Sequence, residues 1–386
     1  MSRTIIEVHA LQTVPPSNVN RDDTGSPKTA VFGGVRRARV SSQAWKRATR
    51  VAFDTLLDRG ELGVRTKRVV DLVAARVTEL RPDLAETAAT LAEGVVTSTG
   101  LKLAATKRAK SGGESSEHQE TGYLVFVSRR QIDLLADKAI ELAGADDVAA
   151  AIKAFKGKGL LDTAHSVDVS LFGRMVADVT DLNVDAAAQV AHAISVHAVD
   201  NEYDYFTAVD DVKRDAADED AGAGMIGTVE FNSSTLYRYA TVDVDRLQDN
   251  LGDAEAARRA VRAFVQAFVE SMPTGKQNTF ANRTLPEAVV VTVRDTQSVN
   301  LVGAFEDAVV AEEGLTRLHV AARRLGERAN EVADVLGQRP VQTWVVAIGD
   351  ARAGLEKTLP DAERTTLPGL YDAVGEVVGQ RLGTSA

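Results

Sequence analysis

Between residues 21 and 50, RDDTGSPKTAVFGGVRRARVSSQAWKRATR, the chain sets eight Lys/Arg against two Asp. The whole protein carries a formal net charge of -10, so everything outside this segment stands at -16. A cationic island kept inside an acidic chain points to a confined polyanion site, because a general nucleic-acid coat would spread its positive charge over the whole surface. Gly33 and Gly34 permit close backbone approach to a ligand, and Arg36, Arg37 and Arg39 follow. Ser41 or Ser42 can then cap a helix predicted over 42–57. Gln43, Lys46, Arg47 and Arg50 fall at i, i+3, i+4 and i+7 and share one face. Trp45, Ala48, Ala52 and Leu56 form the opposite stripe, expected to face the core. A helix start with open amides, a hydroxyl, a carboxamide and two turns of cations suits phosphates. The plainer alternative is an amphipathic helix with a solvated basic face.

The elements that must hold this island follow from periodicity. Ile5 to Val14 alternates and is rich in β-branched residues, as a half-buried strand would be. Residues 66–104 read as helices punctuated by Pro82 and Gly94, 105–122 as a polar loop, and 131–156 as helix. Tyr123 to Ser128 is a short strand candidate, Asp185 to Ala198 a helix, and 206–227 an acidic excursion with glycines. Val229 to Val242 is strand material, Ala254 to Met272 an amphipathic helix, and Ala288 to Asp295 a buried-type strand. The outer elements thus run strand, helix, strands, helix, strand, the order of a ferredoxin-like α+β sheet with a long insertion.

Several separated motifs resemble the CasC family, the backbone subunit of the type I-E Cascade complex of CRISPR immunity. They are NRDDTGSPKTAVFGG-x-RR-x-R-x-SSQ-x-x-KRA from Asn20 to Ala48, VDVSLFGRM from Val167 to Met175, and AHAISVHAVDNEYDYFTAVDD from Ala191 to Asp211. GTVEFNSSTLYRYATVD from Gly227 to Asp243 and PTGKQNTFA from Pro273 to Ala281 complete the set. The resemblance implies a right-hand shape: a modified RNA-recognition (ferredoxin-like) palm, a helical fingers insertion and a thumb loop. It divides the chain into a first palm part at 1–59 with the basic loop and helix, fingers at 60–182, a palm helix at 183–198, a thumb at 199–226, and a second palm part with a C-terminal helical region at 227–386.

The implied function is non-catalytic. Copies would assemble head to tail along a CRISPR guide RNA, presenting its bases for target DNA recognition, with other Cascade subunits as further partners. By resemblance, Arg21, Lys28, Ser41, Gln43, Lys46 and Arg50 contact guide phosphates, and Lys276, Gln277 and Thr279 are further candidates. Lys276 to Thr279 reads equally well as a polar turn after Pro273. Met175 and Phe206 match positions that wedge beside a nucleotide flipped out under the thumb, although an isolated Met or Phe is more often core. Arg174 beside Gly173 fits a loop pressed against phosphates. Lys153, Lys156 and Lys158 make a small basic patch that could steer duplex DNA or simply end a helix in solvent.

Composition narrows the remaining classes. At 386 residues, with 26% charged and 44% hydrophobic, the chain supports a sizeable core. It has no cysteine, which excludes disulfides and thiolate chemistry and fits a reducing cytoplasm. No apolar stretch approaches a membrane span and no leader pattern opens the chain. Aromatics are scarce at 5%, and no stacking motif of the RNP1 kind stands out, so recognition is expected through the RNA backbone. Gly222 to Gly227 spells GxGxxG but precedes strand-like TVEFN and opens no helix; Gly275-Lys276 is followed by Gln277 and is no P-loop. His192 and His197, five apart on the expected helix, do not share a face, and the adjacent Asp pairs suit caps better than acid/base work. No cofactor or metal is expected. The rival enzyme reading is an RNA-processing endonuclease on a related fold, for which His9, His165 or His319 would have to act without an identifiable partner. A scaffold that touches no nucleic acid is opposed by the basic island.

Overall fold

The computed structural model describes residues 3–104, 118–176, 179–208 and 225–383. The tip of the expected thumb, the GxGxxG-like run up to Gly224 and most of the polar loop at 105–122 lie outside the described residues. The chain forms two compact units, one from 1–52, 190–241 and 264–374, the other from 53–189, 242–263 and 375–386.

The first unit is built on a large mixed sheet. From one edge its strands are Glu363–Arg364, Gln342–Ala347, Ala288–Arg294, Ile5–Ser17, Met225–Asp243, Ala193–Ser195, Val35–Val40 and Thr29–Phe32. Within that order Ala288–Arg294, Ile5–Ser17, Met225–Asp243 and Ala193–Ser195 are fourth, first, third and second in the chain, as in a ferredoxin-like βαββαβ sheet. The α+β expectation therefore holds. Ile5–Ser17 pairs antiparallel with Ala288–Arg294, from Ile5 opposite Arg294 to Leu11 opposite Ala288.

One face of this sheet carries Leu11, Tyr237, Val290 and Val345 into a core shared with the helices Arg317–Asp334 and Gly349–Thr358. On the other face the buried Arg238 guanidinium lies 3.8 Å over the Trp45 ring and 4.6 Å from that of Phe268, and donates to Gln12 Oε1 at 2.6 Å and to the Phe268 carbonyl. Burial without a carboxylate brings Arg238 down to about 9. It joins the helices Ser42–Leu56 and Ala254–Glu270 to the sheet.

The sequence expectations need four corrections here. Ile5–Ser17 is not the half-buried strand expected: it is a central strand, and both of its faces are covered, so Glu7 and His9 are as buried as Ile6 and Val8. Burial alone would raise the Glu7 carboxyl. The His9 ring 3.9 Å away, Arg294 and the Val299 amide outweigh it and hold Glu7 at about 2. The palm helix expected at 183–198 is absent; Ala188–Val190 and Ala193–Ser195 are strands, with Ile194 opposite both Arg39 and Tyr237. Alanine's helix propensity gives way to pairing with chain neighbours some 40 and 150 residues away. The helix Ser42–Leu56 buries Trp45 as expected, but then Thr49 and Phe53, each one residue beyond the expected Ala48 and Ala52. Gln342–Ala347 is a sheet strand that periodicity did not single out within 227–386.

The second unit contains helices where 66–104 and 131–156 read as helical, among them Val69–Leu80, Ala88–Ser98, Arg129–Ala143 and Val148–Ala154. Val73, Val77, Leu91, Val95, Leu135 and Ala139 form its core. A two-stranded ribbon, Gly63–Thr66 with Val125–Ser128, closes one side. Arg129–Ala143 opens on a capping box between Ser128 and Gln131. Among the described residues no helix is long and apolar enough to cross a membrane.

Candidate nucleic-acid interface

The basic island is a hairpin followed by a helix. Thr29–Phe32 pairs with Val35–Val40, with Phe32 opposite Val35, so Gly33 and Gly34 are the two residues of the turn. Both have positive φ, +58° and +77°, as a type I′ turn requires. A Cβ on Gly33 would lie 1.6 Å from the Glu306 carbonyl oxygen. The close approach expected of Gly33 is thus to the protein's own backbone and not to a ligand. Arg37 is consumed in the same place. It is fully buried, stacks near Phe32, and donates to the carbonyls of Phe32, Ser195, Phe305 and Glu306. Arg36 points outward, and Arg39 is half-buried.

The loop 18–28 links this hairpin to three further segments. The Lys28 amide donates to the Asn20 carbonyl, and the Arg39 amide donates to that of Lys28, both at 2.9 Å. Asn20 Oδ1 accepts from the Ser41 amide at 2.8 Å, so the loop 18–28 is fixed to the start of the helix. Within the loop Asp22 Oδ1 accepts from the Thr24 hydroxyl and from the amides of Thr24 and Ser26; the Thr24 hydroxyl first, then those amides, hold its carboxyl below the usual range. At its far side Ser26 donates to Glu230 Oε1 at 2.8 Å, and Asn18 donates to the Glu230 carbonyl at 2.9 Å. Gly275 then backs onto the loop: a Cβ there would stand 2.1 Å from the Val19 carbonyl oxygen. The turn carrying Lys276, Gln277 and Thr279 is therefore held against the segment that carries Arg21 and Lys28.

Arg21, Gln43 and Arg47 are exposed, and Lys28, Lys46 and Arg50 are half-buried. Burial pushes the Lys46 ammonium below its ordinary value. Ser41 is buried, and its hydroxyl accepts from the Ala44 amide at 3.2 Å, which makes it the helix cap. Gln277 and Thr279 are exposed, and Lys276 sits half-buried in the left-handed region at φ 51°. His192 also belongs to this group, although nothing in its local pattern marks it for inclusion. Its Nδ1 lies 3.2 Å from the Ser42 amide and 3.5 Å from Arg39 Nη1.

Phe206 lies on Glu202–Ala208, which pairs with Met225–Asp243 as a ribbon at the root of the expected thumb. Phe206 stands opposite Gly227, and a Cβ on Gly227 would come within 2.4 Å of its ring. The ring rests on that glycine and stays 38% exposed.

In the second unit Met175 is 82% exposed, which removes the core alternative for it. Arg174 contradicts the phosphate expectation, since it is 4% exposed. Its guanidinium donates to the carbonyls of Leu182 at 2.7 Å and Leu161 at 2.5 Å, and more weakly to the Phe126 carbonyl and Gln131 Oε1. Burial brings it down to about 10. It anchors the loop that displays Met175, and Gly173, at φ 78°, fits tightly against the Val184 carbonyl. Lys153, Lys156 and Lys158 are exposed, and Lys158 pairs with Asp181 at 3.1 Å.

The profile of CT1975-like proteins matches residues 6–373. Two chains of solved structures are similar over nearly the whole length. One, from a "CRISPR RNA-guided surveillance complex, pre-nicking", is 36% identical with a TM-score of 0.79 and covers 97% of this chain and 100% of its own. The other, from a "CRISPR RNA-guided surveillance complex", is 30% identical with a TM-score of 0.59 and covers 97% and 99%. No functionally curated sequence matches the chain.

Proposed function

The chain belongs to the CT1975-like protein family, and from that premise we propose that it is the non-catalytic, guide-RNA-gripping backbone subunit of a type I-E Cascade. The observation that carries this reading is the frame around the basic helix, in which hydrogen bonds tie loop 18–28 to the hairpin, the helix start and the ribbon root, and the Gly275 turn packs against the same loop. Such a frame fixes the backbone that carries Arg21, Lys28, Gln43, Lys46 and Arg50 before a ligand arrives, so little backbone ordering entropy is lost on binding. Cations and amides placed this way grip phosphates without reading sequence, which leaves the bases to pair with target DNA.

The exposed Met175 of the second unit and Phe206 of the first each act as a wedge that turns a nucleotide aside, and Lys153 and Lys156 meet target duplex more loosely. Copies associate head to tail in the cytoplasm, a heterologous contact that runs on until the RNA or other subunits end it. The endonuclease reading gains no support from its histidines. His9 is fully buried with Nδ1 2.9 Å from the Tyr237 hydroxyl, and His165 is held below its usual pKa by burial and Arg174 beside the Gln131 carboxamide.

The test is binding of full-length protein to two precursor RNAs with unrelated spacers. Equal affinities with both RNAs recovered uncut support the proposal. Cleavage by the purified protein, or a strong preference for one spacer, overturns it.

A further inference from the structure

The His192 ring accepts where an anion would. Its Nδ1 faces the Ser42 amide, one of the open N–H groups at the start of a 15-residue helix, and Arg39 Nη1 approaches the same nitrogen. Two donors aimed at one ring nitrogen require that nitrogen to be unprotonated, so the proton of the neutral imidazole is on Nε2. The charged groups that act on the ring from the hairpin and from the loop are Arg39 and Lys28, both cations, and Ser42 presents only a backbone amide from the helix. Burial first, then Arg39 and Lys28, hold the ring below its ordinary pKa. Protonating it in the free protein would aim an N–H at another N–H and add a third positive charge to the cluster.

We propose that His192 is a phosphate-responsive contact: a backbone phosphate of the bound RNA seats among the Ser42 amide, Arg39 and Lys28, and the imidazole takes up a proton as it binds. This rests on the RNA-binding function proposed above. The phosphate accepts the hydrogen bonds that Nδ1 had accepted. Its charge neutralises Arg39 and Lys28, and the ring, now free to carry both protons, becomes a donor to the same anion. Phosphate-bound protein then has the higher imidazole pKa. By linkage the affinity rises as pH falls, by up to about tenfold per pH unit between the free and bound pKa values, and levels off outside that window. His165 and His197 are also held low by burial, but they remain in every variant used below and cancel in the comparison.

The experiment is fluorescence anisotropy of one labelled guide RNA with full-length protein from pH 8 to 5.5 at constant ionic strength, for wild type and His192→Gln. Glutamine can still accept from the Ser42 amide but does not titrate. The expected result is that wild-type affinity climbs by about three- to tenfold more than that of His192→Gln over this range. Parallel curves overturn the inference while leaving RNA binding intact. Imidazole NMR shifts of the wild type supply the second reading, independent of any variant's folding: the His192 pKa is expected to rise when RNA is added, and an unchanged pKa overturns the inference. Absence of RNA binding at every pH overturns the proposed function itself, and this inference with it.

Discussion

Replacing Lys46 and Arg50 together with alanine tests the phosphate grip quantitatively. The two lie one turn apart on the helix Ser42–Leu56, half-buried and off the stripe of Trp45, Thr49 and Phe53, so truncation removes none of those core side chains. Each phosphate contact to a single strand contributes about 0.7 to the slope of log affinity against log salt. Loss of two contacts lowers the slope by about 1.4, and a fourfold rise in salt should then cost the wild type about sevenfold more affinity than the variant. The deficit should be the same for unrelated guide sequences, because neither side chain is asked to reach a base. Filter binding at 50 and 200 mM salt measures both quantities, with circular dichroism to confirm the fold. An unchanged slope, or a deficit that depends on guide sequence, would refute the reasoning.

Met175→Ala with Phe206→Ala should leave overall RNA affinity nearly intact, since phosphates supply most of it, but should abolish a periodic tolerance of mismatches in target binding; wild type without any periodic tolerance would count against the wedge. Arg174→Met should destabilise the second unit by roughly 2–4 kcal/mol, because the Leu161 and Leu182 carbonyls lose a buried, charge-assisted donor, and a urea midpoint equal to wild type would show that the anchor is dispensable. Acid should act in two stages. His165 and His197 have folded pKa values depressed by burial, so their contribution is complete above their ordinary value of 6.5 and is lost as pH falls through the folded values. The Glu7 contribution, present above 4.5, goes as pH approaches about 2. Thermal melts that stay flat from pH 7 to 5 would contradict the first stage.

How much of this was legible in the sequence depended on the range of the interaction involved. The helix Ser42–Leu56 and its cationic face were visible because 3.6-residue periodicity is local, although beyond Trp45 the buried stripe was misplaced by one residue. Phe32-Gly33-Gly34-Val35 carried a readable hairpin signal, two glycines between alternating residues, and the ligand reading obscured it. With the hairpin recognised, alternation would have separated the outward Arg36 from the buried Arg37. Residues 185–198 had no such signal, since Ala-rich strands are defined by partners at Arg39 and Tyr237 that the chain reaches only when folded. The same distance hid His192 and Glu230, which meet the basic loop and helix across roughly 150 and 200 residues. Arg174 was misread because a buried arginine paired with carbonyls and a phosphate-binding one look alike in sequence.

The central claim, that this chain holds a guide RNA by its backbone, is tested most directly by what it carries out of a cell. The protein would be co-expressed with a CRISPR array, purified in moderate salt, and its absorbance ratio at 260 and 280 nm measured before and after ribonuclease treatment. The account predicts a ratio dominated by nucleic acid, with bound RNA recovered whatever spacer the array encodes, and lost on ribonuclease treatment. Protein that emerges free of RNA, or that retains RNA from only one spacer among several, would contradict it.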